Sequence, residues 1–204
     1  MVFGKNSLVD DLGTSVGYGN EIVGSNDGGG QRGLALGNRL TVKGEEAVAV
    51  GTDASATAGW AITMGTKSSA EKETSMAFGY DSHAKVSGGV ALGSWSVADT
   101  AAGVSGYDPS TQAASTDTSA AWKSTLGAVS VGDKTEGYTR QITNVAAGAT
   151  DTDAVNVAQL KKAVAGAADG NDTLVSGSNG LSLSGKTLSM SVKDTAGNEV
   201  KGSV

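Results

Sequence analysis

A four-residue word of the form apolar, small, apolar, glycine recurs along the chain. Five successive copies, whose glycines are 14 residues apart, are Leu34–Gly37, Val48–Gly51, Ile62–Gly65, Met76–Gly79 and Val90–Gly93. Looser copies are Met1–Gly4, Val16–Gly19 and Val129–Gly132. A fixed period this short predicts a stacked solenoid rather than a globule with an enclosed pocket. It therefore favours a protein that presents a binding surface over an enzyme.

The composition excludes several classes of protein. The 204 residues include 31 Gly, one Pro and no Cys, and they carry a net charge of −6 without any cluster of Lys and Arg. A nucleic-acid partner is therefore not expected, because phosphate binding needs a basic face. No apolar run is long enough to span a membrane as a helix, and no signal-peptide pattern is present. Met1 opens directly onto a repeat word, so we expect any membrane anchor to lie outside this fragment.

Each 14-residue unit contains two short alternating runs separated by glycine-containing turns, which predicts two short strands per coil. Alternation is expected to bury the apolar positions of each word and to leave the turns and the fourth residue after each glycine outside. The predicted ligand-binding surface is this outer face of the roll, with candidate residues Lys67, Lys72, His83 and Lys85. One coil buries too little to be stable alone, so stacking and other chains must support it.

The period is interrupted twice. The glycine-rich stretch Gly24–Gly30 separates the first copies from the regular array. Residues 99–126, which contain the only proline, predict a looped insertion before a last coil at 127–139.

The region after the last coil predicts a helix followed by strands. Thr152 is the expected N-cap with Asp153 in the first turn, and Val157, Leu160 and Val164 follow the spacing of a coiled-coil seam. Such a short helix implies partner helices, although the seam leaves their number open. Leu181–Leu183 and Leu188–Val192 then predict a β-hairpin around the turn Gly185-Lys186.

The 14-residue words resemble the head repeats of YadA-like trimeric autotransporter adhesins of Gram-negative bacteria. Ile142–Gly148 and Thr152–Leu160 are similar to the two diagnostic words of that family's neck. The segment from Gly106 to Ser124 is similar to insertions found between head coils and neck. The resemblance implies an all-β fold, a left-handed parallel β-roll in a trimer, followed by a short coiled-coil neck helix and a C-terminal β-rich segment. Its parts are head repeats 1–98, insertion 99–126, last head coil 127–139, neck 140–168 and a β-rich, truncated connector 169–204.

The resemblance also implies the function. It indicates a non-enzymatic, homotrimeric surface adhesin without catalytic residues, cofactor or metal, held at the outer membrane by an anchor absent from this fragment. Its expected partners are host extracellular matrix proteins, host cells or other bacterial cells in aggregates and biofilms. Val157, Leu160 and Val164 would lie on the trimer axis.

Two other classes remain as alternatives. One is a trimeric phage tail-fibre or tailspike segment, against which the neck words argue. The other is a β-helical acyltransferase, against which the 14-residue period and the lack of convergent catalytic residues argue. His83 is the only histidine and there is no cysteine, so we interpret it as a surface residue rather than a metal ligand. Trp60, Trp95 and Trp122 fit either packing at turns or adhesive anchors, and packing is the favoured interpretation.

Overall fold

The computed structural model describes residues 1–9, 12–23, 32–168, 179–184, 187–193 and 199–203. The predicted interruption at Gly24–Gly30 and the hairpin turn at 185–186 lie outside these residues. The chain forms two compact units, Met1–Ile142 and Thr143–Val204.

The strands and the single helix of the described residues follow in chain order. They are β1 (Val2–Lys5), β2 (Leu8–Val9), β3 (Thr14–Tyr18), β4 (Glu21–Ile22), β5 (Leu34–Asn38), β6 (Thr41–Val42), β7 (Val48–Thr52), β8 (Ser55–Ala56), β9 (Ile62–Met64), β10 (Ser69–Ala70), β11 (Met76–Phe78), β12 (His83–Ala84), β13 (Val90–Leu92), β14 (Val97–Ala98), β15 (Tyr107–Asp108), β16 (Ala113–Ala114), β17 (Val129–Ser130), α1 (Val157–Ala168), β18 (Asn179–Ser184), β19 (Thr187–Lys193) and β20 (Glu199–Ser203).

The first unit is a parallel β-roll with two strands in each coil. The word strands form an eight-stranded sheet in the order β1-β3-β5-β7-β9-β11-β13-β17, and the second strands form a seven-stranded sheet from β2 to β14. Words pair in register, with Gly37 opposite Gly51, and the array resumes after the insertion where Val129 pairs with Val90. The predicted parallel roll is confirmed, whereas its left hand and its trimeric state stay predictions.

The register corrects one predicted repeat. Val16–Gly19 is not a copy of the word, because Gly17 rather than Gly19 pairs with Gly37. The second word is therefore Thr14–Gly17, whose small residue is a serine. The apolar pattern of the word does not match this copy because its first residue, Thr14, is polar.

The core of the roll consists of small side chains. From Thr14–Gly17 to Val90–Gly93, the small middle residue of each word points inwards and is fully buried. Ala35, Ala49, Ala77 and Ala91 are examples, each 0% exposed. The flanking apolar residues point outwards, with Leu36 37% and Met64 49% exposed in the single chain. The expectation that alternation buries the apolar positions of the word is therefore wrong. The two sheets lie too close together for large side chains along most of the roll, so the short residues fill its interior.

The N-terminal coils show the same volume constraint. Ile22, Leu40 and Val42 are the largest fully buried side chains among the described residues, and Gly33 lies opposite Ile22 and Val42. A Cβ on Gly33 would lie 2.7 Å from Val42 Cγ1. A larger residue in one column is thus balanced by a smaller one in the facing column.

The glycine that closes each word is required by both backbone conformation and space. Gly51 has φ +134°, and a Cβ added there would lie 2.6 Å from the carbonyl oxygen of Gly65 in the next coil. Its counterparts Gly37 and Gly65 have φ of 143° and 146°. Other residues rarely adopt this conformation, so glycine sets where each coil turns.

The insertion leaves the roll after β14 and returns to it at β17. It contains a short antiparallel pair in which Tyr107 lies opposite Ala114. A bridge between Ser105 and Lys123 closes its base.

In the second unit, α1 begins later than expected. Its N-cap is Asn156, whose Oδ1 accepts the Gln159 N–H at 3.0 Å while its own N–H donates to Gln159 Oε1 at 3.3 Å. This reciprocal pair is a capping box, so the prediction of Thr152 as N-cap is wrong. Asp153 instead accepts hydrogen bonds from the N–H groups of Ala149 and Thr150 in the turn before the helix, which hold the pKa of its carboxyl below the ordinary value.

The strands of the second unit agree with the predicted hairpin. β18 pairs antiparallel with β19, with Ser184 opposite Thr187, and β20 pairs with the other edge of β19. Among the described residues, no helix has the length and apolar character needed to cross a membrane.

Candidate functional site

The outward side of the word sheet carries an apolar row. The third residue of each word stacks on its equivalent in the next coil, and the row contains Val16, Leu36, Val50, Met64, Phe78 and Leu92. Leu92 and Met64 are each 49% exposed. A continuous exposed apolar surface is characteristic of a protein interface.

The outward side of the second sheet is mostly polar. Its strands present Thr41, Ser55, Ser69, His83 and Val97, all half-buried. The two sheets therefore give the roll one apolar and one polar outward face.

The predicted ligand-binding residues are spread over several parts of the polar side. Lys67, Lys72 and Lys85 are exposed and His83 is half-buried, with its imidazole 3.0 Å from Asp81 Oδ1. Lys67 precedes the strand Ser69–Ala70 in the chain, and Lys72 follows it. Only His83 and Lys85 line a common groove.

The turn after each word forms a row of charged residues with positive φ. Arg39 and Asp53 occupy equivalent positions in successive coils, where the guanidinium donates to both carboxylate oxygens at 2.6 and 2.7 Å. This hydrogen bond holds the pKa of the Asp53 carboxyl below its ordinary value and raises the pKa of Arg39. Lys67 and Asp81 continue the alternation of sign in the next two coils. Opposite charges in adjacent coils favour the observed register.

A second ion pair lies near the C-terminal end of the roll. Lys134 Nζ lies 2.9 Å from Asp99 Oδ2, and its hydrogen bond lowers the pKa of the Asp99 carboxyl. The pair connects the start of the insertion with the last coil.

The three tryptophans lie in different environments. Trp95 is 50% exposed and its ring lies between those of Tyr80 and Tyr138, at centroid distances of 5.8 and 6.0 Å. Trp60 is 49% exposed and donates from its indole N–H to Glu46 at 3.2 Å. Both occupy turn positions with positive φ, and Trp122 lies in the insertion. Each of the first two thus packs at a turn and also presents an open surface.

The neck words position a set of polar side chains that the sequence patterns did not single out. Gln159 donates from Nε2 to the Gly148 carbonyl at 2.9 Å and accepts the Gly148 N–H at 3.0 Å. Asn156 Nδ2 donates to the Val145 carbonyl at 3.2 Å. The two side chains therefore fasten the irregular segment before the helix to the first turn of α1. The signal available in the sequence was the spacing of Asn156 and Gln159, which are three residues apart as in a capping box.

The predicted seam of α1 is exposed in the single chain. Val157 is 67% exposed, and Leu160 and Val164 are each 58% exposed. Apolar residues at this spacing on an uncovered helix have the pattern of a coiled coil, and their place on a trimer axis stays a prediction. Within the described part of the chain, no three His, Cys, Asp or Glu side chains are grouped so that they could hold a metal ion.

Comparison with known families identifies the two types of segment. The model of the YadA head domain repeat matches residues 43–59 and 70–94. The model of the coiled stalk of trimeric autotransporter adhesins matches residues 141–182. The roll and the neck thus match parts of one family.

Individual proteins give matches over shorter stretches. The chain is 67% identical over 60 residues to the autotransporter adhesin BadA of Bartonella henselae, and 56% identical over 62 residues to the trimeric autotransporter adhesin AtaA of an Acinetobacter strain. Each match covers 29% of this chain and 2% of the relative. The crystal structure of the collagen-binding domain of the Yersinia adhesin YadA is 26% identical, covers 79% of this chain and 73% of that one, and has a TM-score of 0.38.

These matches place head repeats before a stalk segment, which is the order that the resemblance of the sequence implied. Nothing in them favours the phage tail alternative. The chain therefore carries head-repeat and stalk segments similar to those of YadA-like trimeric autotransporter adhesins.

Proposed function

We propose that this chain is an adhesive segment of a surface-anchored homotrimer that attaches to host extracellular matrix, host cells or other bacteria. The observation that carries the proposal is the pairing of one apolar and one polar outward face on the same roll. Three copies that bury their apolar rows together would leave the polar faces and charged turns available to partners.

The neck supports the same assembly. Val157, Leu160 and Val164 are apolar and exposed at the spacing of a coiled-coil seam, so partner helices would cover them. We place these residues on the trimer axis. The neck would then hold three chains in register while leading from the roll to the stalk.

Adhesion needs no chemistry, and we propose that the chain is not an enzyme and uses no cofactor or metal. Repetition supplies the affinity instead, because equivalent surfaces on successive coils and on three chains allow weak contacts to act together. The candidate contact residues on the polar side are Lys67, Lys72, His83 and Lys85.

The proposed location is the outer surface of a Gram-negative bacterium. The chain spans 2% of the length of the curated relatives it matches, so it would act as one part of a much longer protein anchored in the outer membrane.

The test is a surface plasmon resonance measurement of the full chain against collagen, fibronectin, laminin and whole bacterial cells. Sedimentation should first show a trimer. Binding that survives a chelator and weakens progressively when whole 14-residue coils are removed supports the proposal. A stable folded monomer, turnover of a ligand, or binding to none of these surfaces contradicts it.

A further inference from the structure

An open groove of about 390 Å³ lies on the polar side of the roll near its C-terminal end. One wall comes from the coils of β12 and β14, and the other comes from Asp133, Glu136 and Tyr138 after the last word. Its volume lies within the usual range of small-ligand sites, about 300–1,000 Å³. The groove lies away from the apolar row of the word sheet, because His83 and Val97 in its wall belong to the second sheet.

The groove contains an exposed aromatic surface that is already held in place. Trp95 and Tyr138 are 50% and 47% exposed, and their rings are inclined by 50°. Tyr80 packs edge-on against Trp95 with an interplanar angle of 79°. A ring fixed in this way loses little conformational entropy when a ligand stacks on it.

Trp95 departs from the pattern of its own row. The equivalent turn positions of the preceding coils hold charged residues, namely Arg39, Asp53, Lys67 and Asp81. Because its indole is uncharged, Trp95 cannot continue the alternation of charges in that row. Aromatic side chains in pockets are typical binding anchors.

The polar groups of the groove include donors and acceptors. Asp81, Asp133 and Glu136 provide carboxylate acceptors, whereas Lys85 and the Tyr138 hydroxyl provide donors. An anionic ligand would meet three carboxylates. A small cation would be attracted by the three carboxylates, but it would leave the exposed surfaces of Trp95 and Tyr138 without an apolar partner. A neutral molecule with an apolar face and many hydroxyl groups matches both the rings and the mixed polar wall.

We propose that this groove binds a neutral glycan, with the apolar face of one sugar ring stacked on Trp95 and Tyr138 and its hydroxyls bonded to the surrounding carboxylates and donors. The inference rests on the proposed adhesive function and gives it a ligand class, the uncharged oligosaccharides of host or bacterial surfaces. Trp95 is the stacking residue, and Glu136 is an acceptor for a sugar hydroxyl.

The experiment measures binding of the full chain to an array of neutral lactose, N-acetyllactosamine and mannose oligosaccharides. The array also carries their sialylated forms and an arginine-rich peptide as charged comparisons. Matrix proteins are included before and after periodate oxidation of their glycans. Trp95→Ala and Glu136→Gln are the test variants. Trp60→Ala is the matched control, because Trp60 is 49% exposed on another turn outside the groove. Thermal unfolding of each variant checks that it is folded, and Glu136→Gln keeps the shape of the side chain.

We expect at least one neutral oligosaccharide to bind, more strongly than its sialylated form. Binding should be roughly tenfold or more weaker in Trp95→Ala, severalfold weaker in Glu136→Gln and unchanged in Trp60→Ala. Equal binding by Trp95→Ala, a preference for the peptide, or no bound oligosaccharide overturns the proposal. Binding to matrix proteins that survives periodate would then leave the adhesive function standing, whereas loss of all binding would remove both.

Discussion

The guanidinium carbon of Arg140 lies 3.0 Å from the position that a Cβ on Gly93 would occupy. In the preceding coils this space belongs to the glycine of the next word, as Gly65 lies against Gly51. Arg140 donates to Ser96 Oγ at 3.0 Å, to the Ser94 carbonyl at 2.6 Å and to the Val131 carbonyl. It therefore continues the glycine row with a side chain and satisfies polar groups at the end of the regular array.

Replacing Arg140 with alanine should destabilise the roll. Its acceptors would lose charge-assisted hydrogen bonds worth about 1.5–3 kcal/mol each, partly offset by water. We expect a net loss of about 2–3 kcal/mol in chemical denaturation. Lys should rescue only part of it, because an ammonium lacks the fork of donors. Arg32→Ala is the control, because the exposed Arg32–Glu46 ion pair should contribute less than about 1 kcal/mol. Equal losses of stability in both variants would contradict the role of Arg140 at the end of the array.

Gly51→Ala should disrupt the array. The positive φ and the close carbonyl oxygen of Gly65 oppose any side chain, so we expect a loss of about 3 kcal/mol or more. Gly59→Ala is the matched control, because a Cβ there meets nothing within 4 Å and its φ lies outside the left-handed region. Thermal unfolding followed by circular dichroism measures both variants. Similar melting temperatures would show that the word glycine is not required by the backbone.

The Arg39–Asp53 pair predicts a specific pH dependence. Because hydrogen bonding lowers the pKa of folded Asp53, its stabilising contribution is present above the unfolded value of about 3.9 and is lost as the pH falls through the folded value. Carboxyl carbon NMR should show Asp53 titrating below that of an unfolded chain. Arg39→Gln should return the Asp53 pKa towards its ordinary value, and an unchanged titration would exclude the pair as the cause.

Leu36→Asp should weaken the trimer if the apolar row is the interface. Three carboxylates would be placed in a desolvated layer, which opposes association. Thr41→Asp in the same coil is the control, because Thr41 is on the polar sheet between Arg39 and Lys43. Analytical ultracentrifugation over a concentration series should show dissociation of Leu36→Asp alone. The reverse result would place the interface on the second sheet.

Leu160→Asp should have the corresponding effect in the neck. The charge would fall within the seam formed with Val157 and Val164, so both trimer content and melting temperature should fall. Lys162→Asp introduces the same side chain outside the seam spacing and should leave the trimer intact. If Leu160→Asp leaves both quantities unchanged, the axial position of Leu160 is wrong.

The sequence by itself determined the coil length, the two strands per coil and the hairpin of β18 and β19. These follow from local rules, because a repeated glycine with positive φ sets each turn and alternation sets each strand. The alternation of charge from Arg39 to Asp81 also favours the observed register, because each charge lies next to an opposite charge only when the coils stack in that register.

Only the tertiary structure decided which face of the word points inwards. Alternation defines two faces but is symmetric between them, and the narrow space between the sheets selects Ala35 over Leu36 for the interior. It also decided the position of Arg140 against Gly93 and the meeting of Trp95 with Tyr138. These depend on segments that are distant along the chain and come together only when the last coil closes the roll, so no local pattern contains them.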